Sequence, residues 1–331
     1  MTTSLFPRAP KLWRPLLALG LALAAGLAQA QAYPSKPIRI IVPFSAGGMA
    51  DALPRAIAAE LAKKYNQPVV IENKPGAASM VGAEYVARAA PDGYTLLLAT
   101  SSTLAVVPHL YKNTIRYDSQ RDLASVTMVA TSPSILMVSN EVPANDFAGF
   151  VSYLKARPGQ VSFASAGIGG VIHLHSELFQ SQTGTKMIHV PYQGSNLALG
   201  DLQTGRVQMM IDIIGSNYGI VKSGKLKVLA AMSDKRLPLL PEVPSVAELG
   251  LPGLAGDIWF AISAPGKTPP EIVAQLQRDI SAIARSPAML EKFAPLGVEM
   301  VGGTPAEMDA VIQRDGARWS RVIRDAAVKV E

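Results

Sequence analysis

From residue 37 onward, short apolar runs alternate with stretches whose apolar residues recur three and four positions apart. The runs "IRIIVPF" (38–44), "PVVIENK" (68–74), "YTLLLAT" (94–100), "SVTMVAT" (125–131) and "SILMVS" (134–139) are continuous and of strand length. That is the pattern of strands covered on both faces. Between the first three lie "ADALPRAIAAELAKKY" and "SMVGAEYVARAA", which have helical spacing. The alternation resumes with helix "FAGFVSYLKAR", strand "VSFAS", helix "IHLHSELFQSQ" and strand "MIHVPY". Helix "LALGDLQTG", strand "VQMMIDI", helix "YGIVKSG" and strand "LKVLAAM" follow. Such an order predicts α/β layers built on mainly parallel sheet. After a further strand, "DIWFAIS", two amphipathic helices close the chain. The first starts at Pro269 and Pro270 and puts Ile272, Leu276, Ile280 and Ile283 on one face. The second opens on Thr304 and Pro305, with Glu307 placed for a capping box. Both need a sheet to cover, and the strands nearest the N-terminus are the natural partner. With no long linker, the pattern predicts two lobes joined by crossing strands.

The N-terminus follows another pattern. Arg8, Lys11 and Arg14 precede an apolar stretch over 16–27 and then Ala28 and Ala30. This predicts a secretory signal over residues 1–30, cut after Ala30, with Ala32 the near alternative. The apolar stretch is shorter than the ~20 residues of a bilayer span. Residues 1–30 hold three cations and no acid, so the formal charge of +6 belongs partly to the signal. What remains suits anionic small ligands, and no basic run or aromatic-interleaved patch marks a nucleic-acid surface. The chain has no cysteine, which excludes disulfides, thiolate metal sites and a lipidated cysteine. An exported, soluble protein is expected.

Candidate chemistry gathers at two turns. "PFSAGGMAD" (43–51) leaves a strand through small residues and restarts at once as a helix near Met49 or Ala50. It reads as a phosphate cradle, a nucleophile turn, a carboxylate site made of backbone N–H groups, or a glycine turn kept for packing. The first amides of a helix lack internal partners and carry partial positive charge. Gly47 and Gly48 would let a ligand approach them, and Pro54 is read as lying near the helix start. A second turn, "SFASAGIGGVIHLH", repeats the arrangement with Ser165, Ala166, Gly167, Gly169 and Gly170. Two such turns facing each other at strand carboxyl ends suit a ligand with two anionic ends. Nucleotide motifs fail: "GIGGVI" has Ile172 at the third glycine, and "GIVKSGKL" has Leu226 for the hydroxyl and runs from helix into strand. There is no G-x-S-x-G around Ser45. His173 and His175 lie two apart and cannot share a metal from a helix. His175 and His189 read as structural, and His173 as a possible donor to an anion. Asp51 would repel an anion as a general base, and reads instead as a cap or turn-fixing group. No nucleophile–base set emerges, so no catalytic residue, metal or cofactor is expected.

Seven segments resemble one family, in order along the exported chain. They are "YPSKPIRIIVPFSAGGMAD", "QPVVIENKPGA", "GAEYVARAAPDGYTLLL", "FASAGIGGVIHL", "HVPYQGS", "VKSGKLKVLA" and "LPEVPSVAELGLPG". They are similar to the periplasmic substrate-binding proteins of tripartite tricarboxylate transporters, the Bug family. The resemblance implies a two-lobed Venus-flytrap fold, with 33–132 plus 250–331 in one lobe and 133–249 in the other. It implies a monomer that holds a carboxylate between the lobes through backbone groups and water, and delivers it to a permease of one large and one small subunit. The first turn would contribute Phe44, Ser45, Ala46, Gly47, Gly48, Met49 and Asp51. Thr100, Ser101, Ser102 and Thr103 would supply hydroxyls at the cleft mouth. The second turn would add Ser165, Ala166, Gly167, Gly169, Gly170 and His173. Residues from Tyr192 to Ser195, with Asp212 and Ile213, would complete the wall.

Three departures from the family pattern add apolar surface: Met49-Ala50, Gly170-Val171-Ile172 and Ile213-Ile214 stand where polar residues are common. A ligand amino or hydroxyl group would lose partners there. The expected ligand is an aromatic dicarboxylate of the terephthalate kind, whose ring edge a thioether such as Met49 suits. Adipate comes next and citrate is a further alternative. The competing readings are an exported hydrolase of small carboxylates and a ligand-sensing partner of a signalling receptor.

Overall fold

The computed structural model describes residues 33–326 and 328, so the signal expected over 1–30 lies outside the described residues. The chain parts into two compact units, Met1–Ser35 and Lys36–Glu331, and the second carries all that follows. Three parallel strands open it: β1 (Ile38–Val42), with β2 (Val69–Asn73) on one side and β3 (Thr95–Thr100) on the other. Helices α1 (Met49–Tyr65) and α2 (Met80–Ala87) connect them. The apolar runs of β1 and β3 are buried, as two-faced cover requires. β2 departs from that expectation: it is the outer edge of the sheet, and Val70 is half exposed. Beyond β3 a π-helical turn (Ser102–Val106) runs into the short α3 (Val107–Leu110).

The two strands expected at 125–131 and 134–139 are one strand, β4 (Leu123–Ser139). Pro133, which breaks the apolar run, lies where β4 changes partners. A missing N–H is tolerated at such a handover. Residues 134–139 enter a second group of elements. These are α4 (Phe147–Lys155), β5 (Ser162–Ser165), α5 (Val171–Thr183), β6 (Ile188–Pro191), α6 (Leu199–Gln203), β7 (Met209–Ile213), α7 (Ile214–Lys222) and β8 (Leu226–Ala231). Here β5 pairs in parallel with β6 and β7, while β7 and β8 run antiparallel to β4. Phe150, Phe163 and Phe179 are fully buried in the core of this group. The chain returns through β9 (Asp257–Pro265), antiparallel to both β3 and β4. Parallel pairing thus holds within each group, and the crossing strands are antiparallel.

Helices α8 (Pro270–Ala284) and α9 (Pro287–Phe293), strand β10 (Glu299–Met300) and helix α10 (Pro305–Asp325) complete the chain. The last helix has the expected capping box at Thr304 and Glu307. Both long helices cover the first group. Ser281 of α8 meets Thr127 of β4 at 3.1 Å, and Trp259 of β9 donates to Asp315 of α10 at 2.7 Å. α10 also reaches the second group, where Trp319 meets the His175 ring edge-on. Pro54 does not sit in the first turn of α1. The helix starts at Met49, so Pro54 lies in the second turn and deprives the Ala50 carbonyl of its usual donor.

Candidate functional site

Both Gly-rich turns sit at carboxyl ends of parallel strands, β1 and β5, and line one cavity of about 70 Å³. A single water needs roughly 10–15 Å³ by that measure, so the space is that of a small organic acid. Phe44, Ser45, Gly48 and Met49 come from the first turn, and Ala166 and Gly170 from the second. Thr100 reaches the cavity from the end of β3, Ser102 from the turn after it, and Asp212 and Ile213 from the end of β7. Twelve of the expected ligand-binding residues, Gly194 and Ser195 among them, therefore form its wall.

The others support the turns from behind. Gly47 adopts φ +99°, which favours glycine, and donates its N–H to Asp51 Oδ2 at 3.1 Å. The same carboxylate receives Arg55 through Nε and Nη2, both at 2.9 Å, and Asn73 Nδ2 at 2.9 Å. Asn73 also donates to the Phe44 carbonyl at 3.0 Å. Burial alone would raise the Asp51 pKa, but the hydrogen bonds from Arg55, Asn73 and Gly47 outweigh it and hold the group below the usual carboxylate range. Asp51 is an anchor of the turn and forms no part of the wall, and Ala46 and Gly47 also lie outside it. Ser101 is buried behind the wall.

The second turn is braced in the same way. Ser165 is fully buried, accepts the Gly167 N–H at 3.2 Å and lies 2.6 Å from His189 Nε2. The His173 ring stacks on His189 at 3.9 Å, and its Nδ1 accepts the Gly169 N–H at 3.1 Å. His173 is thus turned beneath the loop instead of into the cavity, because Gly169 claims its ring nitrogen. Gly169 has φ +76°, and a Cβ there would meet Leu110 and Tyr111 at 2.7 Å. Tyr192 is also drawn off: its hydroxyl donates to Asp201 at 2.8 Å, and burial with that bond pushes its pKa up to about 12. The Ser165–His189 contact is a pair that sequence spacing does not reveal. Its hydroxyl is sealed under the turn, away from the wall.

The heads of the two helices are capped reciprocally. The first amide of α1, on Met49, donates to Ser216 Oγ of α7 at 3.2 Å. The first amide of α5, on Val171, donates to Ser102 Oγ at 2.9 Å. Each serine belongs to the opposite group of elements and lines the cavity. The resemblance implied that the turn amides themselves would meet the ligand, yet the leading amide of each helix is taken. The second amides, on Ala50 and Ile172, belong to wall residues and have no acceptor earlier in their helices. Asn196 adds a third bridge, accepting from Ser45 Oγ at 3.4 Å and donating to the Ala46 carbonyl at 3.3 Å.

Sequence reasoning missed Ala78, Asn196, Ser216, Ile258 and Phe260 as wall residues. In sequence, Phe260 and Ile258 read only as part of a strand, and their place on a crossing strand is the signal that could flag them. Ser216 and Asn196 carry no local signal. The wall contains no lysine, arginine or histidine, and Asp212 is its one ionisable residue.

Residues 53–328 match the model of the tripartite tricarboxylate transporter family receptor. The chain belongs to this family. BugT of Bordetella pertussis is 37% identical over 96% of this chain and 99% of its own length. A solved R. palustris protein, Rpa4515 with adipate, superposes with a TM-score of 0.86 at 35% identity, covering 90% of this chain and 99% of that one. MatC (Rpa3494) from Rhodopseudomonas palustris with bound malate gives 0.84 at 30% identity, covering 88% and 100%. Solved members of this Bug-type family are periplasmic binding proteins. The chain is therefore a solute-binding receptor with their two-lobed fold. Among the described residues, no helix is long and apolar enough to cross a membrane.

Proposed function

We propose that this receptor closes on a small dicarboxylate with an apolar middle, and that an aromatic dicarboxylate of the terephthalate kind is its preferred guest. One observation carries the reading: the wall is apolar along much of its extent and offers neutral donors in place of cations. Thr100, Ser102 and Ser216 present hydroxyls, and the Ala50 and Ile172 amides sit at helix heads, where the dipole favours an anion. Phe44, Phe260 and Met49 supply flat and polarisable surface for a ring. Adipate is the second reading, supported by the adipate-bound relative. Citrate fits less well, because its third carboxylate would be desolvated without a partner.

In this reading 33–132 plus 250–331 and 133–249 are lobes that move about the crossing strands, and the guest shifts them toward the closed form. The closed receptor, exported by its signal and working as a monomer in the periplasm, presents the guest to a permease of one large and one small subunit. The guest leaves unaltered. Placement of the Ser165 hydroxyl beneath the turn supports binding without turnover. Titration calorimetry with terephthalate, adipate, citrate and glutamate tests the proposal. Terephthalate or adipate should bind tightest, and tight binding of glutamate alone would overturn it.

A further inference from the structure

Asp212 stands apart in a cavity meant for an anion. It ends β7, is 2% exposed and lines the wall, where no cation accompanies it. Asn217 Nδ2 donates to its Oδ2 at 2.9 Å, and the Ser195 hydroxyl and the Ile213 N–H also bond to it. The orientation of Asn217 is fixed, because the same NH₂ donates at 2.7 Å to the Ile213 carbonyl, which can only accept.

No charged group compensates Asp212 from any neighbouring element. Strand β4 presents Ile135 opposite it, and β4 contains no ionisable residue. On α5, His173 is turned into the His189 stack with Glu177 beside it at 3.5 Å, and His175 faces Trp319. On α7, Lys222 lies over the Tyr218 ring. Asp201 is engaged by Tyr192 and Arg206, and Asp51 is held by Arg55 and Asn73. Burial raises the Asp212 pKa against the opposing hydrogen bonds. An ionised Asp212 and a dianionic guest in one desolvated space would repel strongly.

We propose that Asp212 is the specificity-determining proton holder of the cradle: with its proton on the oxygen that Asn217 leaves free, it donates a hydrogen bond to one ligand carboxylate. Binding of a dianion then draws one proton from solvent, and the complex keeps it between the two carboxyl groups. The inference rests on the carboxylate reading above, and adds that the preferred guest presents an acceptor, not an ammonium, to Asp212.

The test is calorimetry of the full receptor with terephthalate and with adipate at pH 6, 7 and 8, in buffers of different ionisation enthalpy. Proton uptake should approach one per ligand as the pH rises past the pKa of the free group, with affinity falling about tenfold per pH unit beyond it. Asp212→Asn supplies a permanent N–H donor, so it should bind at pH 8 without proton uptake and with a flat pH profile. Tight binding by the wild-type protein with no proton uptake would overturn the proton and leave the carboxylate reading standing. Failure of every dicarboxylate at every pH, with glutamate bound instead, would overturn both. The wild-type measurement decides the matter even if Asp212→Asn does not fold.

Discussion

Replacing Ser102 by alanine removes the oxygen that accepts the Val171 amide at 2.9 Å across the cavity. In an open receptor water would take that amide, so the loss falls on the closed form alone. A buried donor left without a partner costs about 1–3 kcal/mol, which is roughly 5- to 150-fold in affinity when closure and binding are coupled. Ser102 is buried, which places it toward the upper part of that range. Ser216→Ala removes the acceptor of the Met49 amide at 3.2 Å, but Ser216 is only half-buried, so about 1 kcal/mol, or fivefold, is expected. The two serines share no partner, and the losses in the double variant should multiply. Titration calorimetry of the wild type, both single variants and the double variant gives the factors directly. The lost cap acts on closure whichever guest is bound, so each variant should weaken both adipate and terephthalate. Small-angle scattering should show compaction with ligand that needs more ligand in the variants. Affinities within twofold of wild type for both ligands would refute the reciprocal latch.

Two further outcomes follow from the supporting residues. Asp51→Ala should lower the unfolding free energy by about 2 kcal/mol in urea titrations, since hydrogen bonds to a charged group contribute about 1.5–3 kcal/mol each and Arg55 is half exposed. The folded Asp51 pKa is depressed, so this contribution is present above the unfolded carboxylate value, near 4, and is lost as pH falls below it. His175 is fully buried, neither ring nitrogen has a hydrogen-bond partner, and burial lowers its pKa to about 3. Between that value and the unfolded value, near 6.5, the unfolded chain binds the extra proton, so stability declines as pH drops. From pH 7 to pH 5 the decline due to His175 should be about 2 kcal/mol. His189, also lowered to about 3, and His109, lowered by burial, add slopes of the same sign, so His175→Leu should remove about 2 kcal/mol of the decline measured across that range and leave the rest.

The order of elements was legible because apolar periodicity follows burial closely. β1, β3, β5 and β7, with the helices between them, lie where the alternation put them. What periodicity could not show was the continuity of β4 through Pro133, since a proline in an apolar run reads as a break until its partners are known. In the site, residues that line the cavity by backbone proximity were legible from the turns themselves, as with Phe44, Gly48 and Gly170. Those whose polar group is claimed by another residue were less so. His173 and Tyr192 look like ligand groups in sequence and are instead consumed by Gly169 and Asp201, whereas Asp51 fixes the turn through Gly47, as its reading as a turn-fixing group has it. Ser216 is the converse: an unremarked serine in "GSNYG" that meets a helix head 167 residues away.

The reciprocal caps also explain why a receptor for anions has no cation in its wall. A buried arginine or lysine would need a partner at all times, because its desolvation goes uncompensated when the site is empty. Helix amides do not carry that burden. Open, Met49 and Val171 can bond to water; closed, they bond to Ser216 and Ser102, so the exchange is close to balanced before a guest arrives. On the proposed reading, the guest's own contacts, to serine hydroxyls, to the second helix amides and to Asp212, tip the equilibrium. A small differential would then suffice to close the lobes and, being small, would let them reopen. An arginine introduced at the wall, such as Ile213→Arg, would remove that balance, and release would become the slow step.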